Sequence, residues 1–189
     1  MTGFTQEQLG WEPWLAPLAE DELTDVHHEA LIDKGRAASP YFRLLARDPE
    51  ILHARTLTDN DIFYNADGGL PRAERELAAT ATSRHNGCVF CASVHARFAS
   101  HYSKHPGDVQ RLLDEGVAAP QAGRWRAVID ASVALAATPE QLGPEHVANL
   151  RANGLDELAI LDTIHAAAFF NWANRLMLSL GEPTEKATK

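Results

Sequence analysis

The chain has 189 residues, 45% of them apolar and 23% charged, which is enough for one domain with a well-buried core. Its formal net charge of −9 excludes a surface that tracks phosphates, because that needs clustered lysine and arginine to displace counterions. No apolar run approaches the ~18 residues of a membrane span, and the opening MTGFTQEQLGWEPW has no basic start before an apolar stretch. A soluble, cytoplasmic protein without a membrane or nucleic-acid partner is therefore expected.

Residues 1–19 hold Phe4, Trp11, Pro13, Trp14 and Pro17 without a regular period and predict an irregular N-terminal arm. Its tryptophans are expected to cover the chain's own core, the alternative being a neighbouring subunit. A single helical domain is predicted over 20–181. Leu23, Val26, His27, Ala30 and Leu31 recur at three and four, and Gly35 closes that segment. Ser39-Pro40 starts a second helix with a serine cap and a proline in the first turn; Pro49 ends it or begins the next. Residues 65–69 read as a loop. Leu70-Pro71 opens a helix that runs to about His85 and is broken by Asn86-Gly87.

Further helices are predicted over 88–102, 106–115, 124–137, 144–152 and 155–180, with Gly154 and Gly181 as C-terminal caps. No stretch alternates with period two between turn signals, so no sheet is expected and the fold class is all-α. The last helix has little polar face in its middle, where Leu158, Ile160, Leu161, Ile164, Phe169, Phe170, Trp172 and Leu176 crowd together. It should be buried nearly all round, centrally or at a subunit interface, and a homo-oligomer is the favoured reading. Residues 182–189 read as a frayed polar tail.

Chemistry concentrates in one place. The only two cysteines form Cys88-Val89-Phe90-Cys91, a pair too local to staple a fold. On a helix beginning near Cys88, Cys88, Cys91 and His95 stand at i, i+3 and i+7, one stripe able to serve one site. The helix N-terminus favours a thiolate at Cys88; His95, one turn beyond Cys91, is placed to take that cysteine's proton and favours Cys91, the preferred reading. Glu76 lies twelve residues before Cys88 and shares its face only if the chain folds back at Asn86-Gly87, so the crossing angle decides whether it reaches the thiols.

Three other readings compete: two cysteines acting as small core residues, a zinc site built from Glu76, Cys88, Cys91 and His95, and Glu76 as a surface carboxylate. Glu74, Asp156 and Glu157 read as solvated helix-start charges. His85 reads as a helix-end residue, and His165 as a buried histidine with one partner and a proton-relay role as its alternative.

Arg75-Glu76-Leu77, then Asn86-Gly87-Cys88-Val89-Phe90-Cys91, then His95, resembles the AhpD-like alkylhydroperoxidases of the carboxymuconolactone decarboxylase superfamily. That family's motif is a glutamate, eleven residues, CxxC, three residues and a histidine, matched by Glu76, Cys88, Cys91 and His95. The runs 150–155, 170–175 and 180–181 extend the likeness to roughly residues 40–181.

The resemblance implies an AhpD-like multi-helix bundle, oligomeric, with helices packed around the CxxC-bearing helix. It implies an oxidoreductase acting on peroxide, with Cys91 peroxidatic, Cys88 resolving, and Glu76 and His95 relaying protons. The redox-active Cys88–Cys91 disulfide takes the place of any cofactor, no metal is called for, and the partners are a hydroperoxide and a thiol or protein reductant. Phe90 stands where some peroxide-reducing members carry a further histidine, which removes one proton donor. A lyase or isomerase of the carboxymuconolactone type, which needs no CxxC pair, and a non-enzymatic redox-sensing oligomer are the alternatives.

Overall fold

Prolines and aspartates set many of the helix starts in the computed structural model, which describes residues 3–185. Proline occupies the first turn of α2 (Pro40–Leu45), α3 (Pro49–Tyr64), α6 (Pro106–Glu115) and α8 (Pro144–Ala152), where a missing N–H costs nothing. Asp48 caps α3 and Asp156 caps α9 (Glu157–Leu180), each carboxylate accepting a backbone N–H of the first turn. The remaining helices are α1 (Asp25–Leu31), α4 (Arg72–His85), α5 (Val89–Ser103) and α7 (Gly123–Ala136). Over the described residues the fold is all-α, 67% helix. Among the described residues no helix is long and apolar enough to cross a membrane.

The bundle is organised around α4 rather than around the cysteine-bearing helix α5. Every residue from Glu74 to Ser83 is buried, and α5, α7 and α9 pack against it. Its run of Ala78, Ala79, Thr80, Ala81, Thr82 and Ser83 is small enough to let three helices approach at once. The sequence reading of 20–35 as one helix divides into a single turn at Glu20–Glu22, α1, and a further turn at Lys34–Ala38.

Two expectations are corrected. α9 is not buried all round: Ala159, Thr163, Ala166, Phe170, Ala173, Asn174 and Met177 face inward, whereas Leu158, Leu161, Trp172 and Leu178 are 41–48% exposed. Its apolar composition hid a one-sided burial. A sheet is also present. β1 (Leu9–Pro13) pairs antiparallel with β2 (Gly181–Glu185), Leu9 opposite Glu185 and Pro13 opposite Gly181. Neither segment alternates, and no local turn signal links two strands so far apart in sequence, so the pairing left no mark in the residues. The expected polar tail is a strand over 181–185; its residues 186–189 lie outside the described residues.

The two tryptophans of the arm part company. Trp11, in β1, is buried edge-on against Tyr41 with ring centroids 5.3 Å apart, as the core-covering reading expected, whereas Trp14 is 59% exposed. Gly154 has φ 82°, the left-handed value of a helix cap. Gly181 is needed for a different reason: a Cβ there would stand 2.3 Å from the Glu12 carbonyl oxygen and 2.4 Å from Trp11 Cζ2. Gly181→Ala should therefore cost about 1–3 kcal/mol, by overpacking. Gly107→Ala, at a position with nothing within 4 Å, should leave stability unchanged or raise it. Thermal unfolding of the two variants checks both.

Candidate active site

Gly87 adopts φ 78°, so the chain reverses immediately after α4 and α5 runs back along it. Cys88 caps α5, its carbonyl accepting the Ala92 N–H at 3.0 Å, and its own N–H donates to Ser83 at 2.9 Å. Cys91 lies one turn inside the helix, and the two cysteines approach to 3.1 Å, both reduced. Both are buried, and Cys91 lines a cavity of about 250 Å³.

His95, one turn beyond Cys91, lines the same cavity. Phe63 and Phe170 hold its ring, with centroids 5.2 and 4.0 Å away. Its Nδ1 meets Glu76 Oε2 at 2.5 Å. Glu76 is fully buried in α4, and its other oxygen accepts from Arg72 Nε at 2.6 Å. Arg72 in turn lies over the Tyr64 ring at 4.2 Å and donates to the Phe63 carbonyl. The fold-back left open by the sequence thus brings Glu76 to the histidine, which stands between it and the cysteines. Holding Nδ1 on Glu76 leaves Nε2 to exchange a proton with whatever occupies the cavity.

The thiols are inequivalent. The Cys91 thiol donates to Cys88 and, with further help from the Cys91 backbone and the Asn174 side chain, holds Cys88 below the usual thiol range despite its burial. The same hydrogen bond, then burial, pushes Cys91 well above that range. Cys88, at the helix N-terminus where unsatisfied backbone N–H groups favour a thiolate, is therefore the first of the two to ionise. Cys91, preferred as the thiolate from the sequence, is the harder of the two to ionise and is the sulfur that meets the cavity.

Asn174 was not singled out from the sequence. It is fully buried in α9, donates Nδ2 to Ser83 Oγ at 3.0 Å and accepts from Asn86 Nδ2 at 3.0 Å, and its side chain also hydrogen-bonds the two cysteines. The available signal was a lone asparagine in an apolar helix, which must find partners when buried. Arg72 could have been found as the residue four before Glu76. Tyr41 and Arg55, also lining the cavity, carry no local signal.

Glu74, read as a solvated charge, is buried and takes both its oxygens to Arg124 Nε at 2.8–2.9 Å. His165 is exposed on α9 rather than buried, which removes it from the site, and His85 is exposed at the end of α4. Among the described residues no three His, Cys, Asp or Glu side chains are grouped to hold a metal ion.

Residues 49–134 match the Carboxymuconolactone decarboxylase family. That segment carries the family likeness, and it covers a little under half of the chain. No curated protein matches it in sequence. Among solved structures it is similar to the alkylhydroperoxidase AhpD core of an uncharacterized peroxidase-related protein from Ralstonia eutropha JMP134. The TM-score is 0.76 at 23% identity over 89% of this chain and 90% of that one. A peroxidase-related protein from Silicibacter sp. TM1040 gives 0.73 at 23% identity, over 89% and 92%. The debrominase Bmp8 gives 0.73 at 17% identity, over 92% of each chain.

The family match spans α3 to α7 and holds Glu76, Cys88, Cys91 and His95, while Tyr41, Phe170 and Asn174 come from elements outside it. Because a depressed thiol ionises earlier, the reduced protein should form one thiolate below the ordinary ~8.5 and the second above it. Absorbance at 240 nm across a pH titration reads both steps. Asn174→Leu should move the lower step upward, toward the ordinary value.

Proposed function

We propose that this protein is a thiol-dependent peroxidase, alkyl hydroperoxide reductase-like, which cycles Cys88 and Cys91 between dithiol and disulfide. The observation that carries the reading is the meeting in one cavity of Cys91 and a histidine whose far nitrogen is held by a fully buried glutamate, with a second cysteine 3.1 Å away. The Cys91 sulfur attacks the terminal peroxide oxygen. Its S–H proton passes to His95 Nε2 and from there to the departing alkoxide, giving Cys91 sulfenic acid and an alcohol. The Cys88 thiolate then attacks the Cys91 sulfur; hydroxide leaves and takes up a solvent proton, the equivalent of the one Cys88 released on ionising, to become water, and the disulfide forms. Two electrons have gone to the peroxide, and an external thiol or protein dithiol returns them.

Phe90 supplies no proton in this scheme, so the His95–Glu76 pair carries all of the transfer. The reading includes a cytoplasmic location and a homo-oligomer, for which the outward Leu158, Leu161, Trp172 and Leu178 of α9 offer an apolar face.

A second reading has one observation in its favour: rings of Phe42, Phe63, Phe90, Phe98 and Phe170 line the cavity, which suits a flat aromatic electrophile. An aryl bromide with the dithiol would give the arene, the disulfide and hydrogen bromide, using the same two electrons.

Stopped-flow mixing of the reduced protein with cumene hydroperoxide should show rapid disulfide formation. Cys91→Ser should abolish it, and unchanged turnover in that variant would sink the assignment. Cys88→Ser should stop at a sulfenic acid that dimedone traps. Glu76→Gln should slow the reaction by about 10²–10⁴-fold, the usual range for a lost proton relay. Bromide release from a bromopyrrole without any peroxide reaction would favour the second reading. Light scattering checks the oligomer, which Trp172→Glu should weaken.

A further inference from the structure

The cavity has a second polar group that the thiol chemistry leaves unused. Arg55, on α3, lines it, with a side chain only 7% exposed. The guanidinium is held between the Phe42 and Phe169 rings, 5.3 and 5.2 Å from their centroids. Its Nη1 pairs with Asp59 at 3.2 Å, and its buried Nε has no hydrogen-bond partner among the described residues. Asp59 does not belong to Arg55 alone, since Arg36 Nη2 also reaches it at 3.8 Å. Two guanidiniums thus share one carboxylate. The other charged groups lining the cavity are Arg72 and Glu76, paired with each other, and His95, bonded to Glu76.

Asp59 therefore answers the Arg55 guanidinium only in part, and the buried Nε is left without an acceptor among the described residues. A buried donor without an acceptor is costly, and more so when charged. A carboxylate fits the planar fork of an arginine better than any neutral acceptor does. The remaining lining is largely apolar, including Phe63, Phe90, Val94, Phe98, Phe170 and Met177. The volume, about 250 Å³, lies below the ~300 Å³ usual for drug-sized ligands and limits the apolar part to one ring or a short chain.

We infer that the cavity binds a compact organic acid, its carboxylate on Arg55 and its single ring or short apolar chain on the aromatic wall beside Cys91. This deepens the peroxidase reading and rests on it for the reacting group, since the hydroperoxide would be carried on that acid. The binding step is separable.

Calorimetric titration of the reduced full-length protein with 3-phenylpropanoate and with its methyl ester, at low salt, tests the inference. The acid should bind at least tenfold more tightly than the ester. Arg55→Gln should abolish that preference, and Arg111→Gln, outside the cavity, should keep it. Equal affinity for acid and ester, no binding of either, or a preference that survives Arg55→Gln overturns the inference; the wild-type comparison decides even if Arg55→Gln does not fold. Rapid peroxide consumption with no preference for the acid removes this inference alone, whereas acid binding without any peroxide reaction removes the peroxidase reading and leaves the acid site standing.

Discussion

A carboxylate with no exposure to water is the constraint on which the rest of this structure depends. Glu76 sits in the helix that three others surround, where an isolated charge would be far too costly. Arg72 on one oxygen and His95 on the other make it tolerable, and both must be held in place. Removing one partner of such a pair typically costs about 3–5 kcal/mol, so the register of α5 against α4 is set by this contact as well as by packing. The same contact directs His95 Nε2 toward the cavity. Stability and proton handling thus rest on one hydrogen bond.

The cysteine pair divides two requirements that conflict at a single sulfur. A stable thiolate needs the helix N-terminus and buried donors, and Cys88 has them. An attacking sulfur, as proposed for Cys91, needs access to a cavity, and Cys91 lines one. A separation of 3.1 Å lets one proton serve both. Asn174 completes the arrangement from α9, while Trp11 of β1 backs Tyr41 at the cavity wall. The sheet that joins the two ends of the chain therefore bears on the site, although it lies outside the helical bundle.

Much of this was legible in the residues. Proline and glycine marked most helix boundaries, because a residue without an N–H or without a Cβ permits few alternatives. The spacing of Cys88, Cys91 and His95 put three side chains on one face once a helix was granted. The reversal at Asn86-Gly87 was equally plain. What could not be read was the consequence of the reversal: Glu76 and Glu74 look alike as charges near a helix start, yet one is bound to His95 and the other to Arg124.

By itself, then, the sequence determined the helices, the cysteine pair and the histidine one turn on, since each follows from local stereochemistry and a fixed period of 3.6 residues. Tertiary structure alone decided that α4 is the centre, that α9 keeps an apolar face outward, that residues 9–13 and 181–185 pair as strands, and which sulfur meets the cavity. It also decided that Arg55, Tyr41 and Asn174 join the site. These depend on helix crossings and on contacts between residues tens of positions apart, and burial there, rather than residue type, determines which charges must be paired.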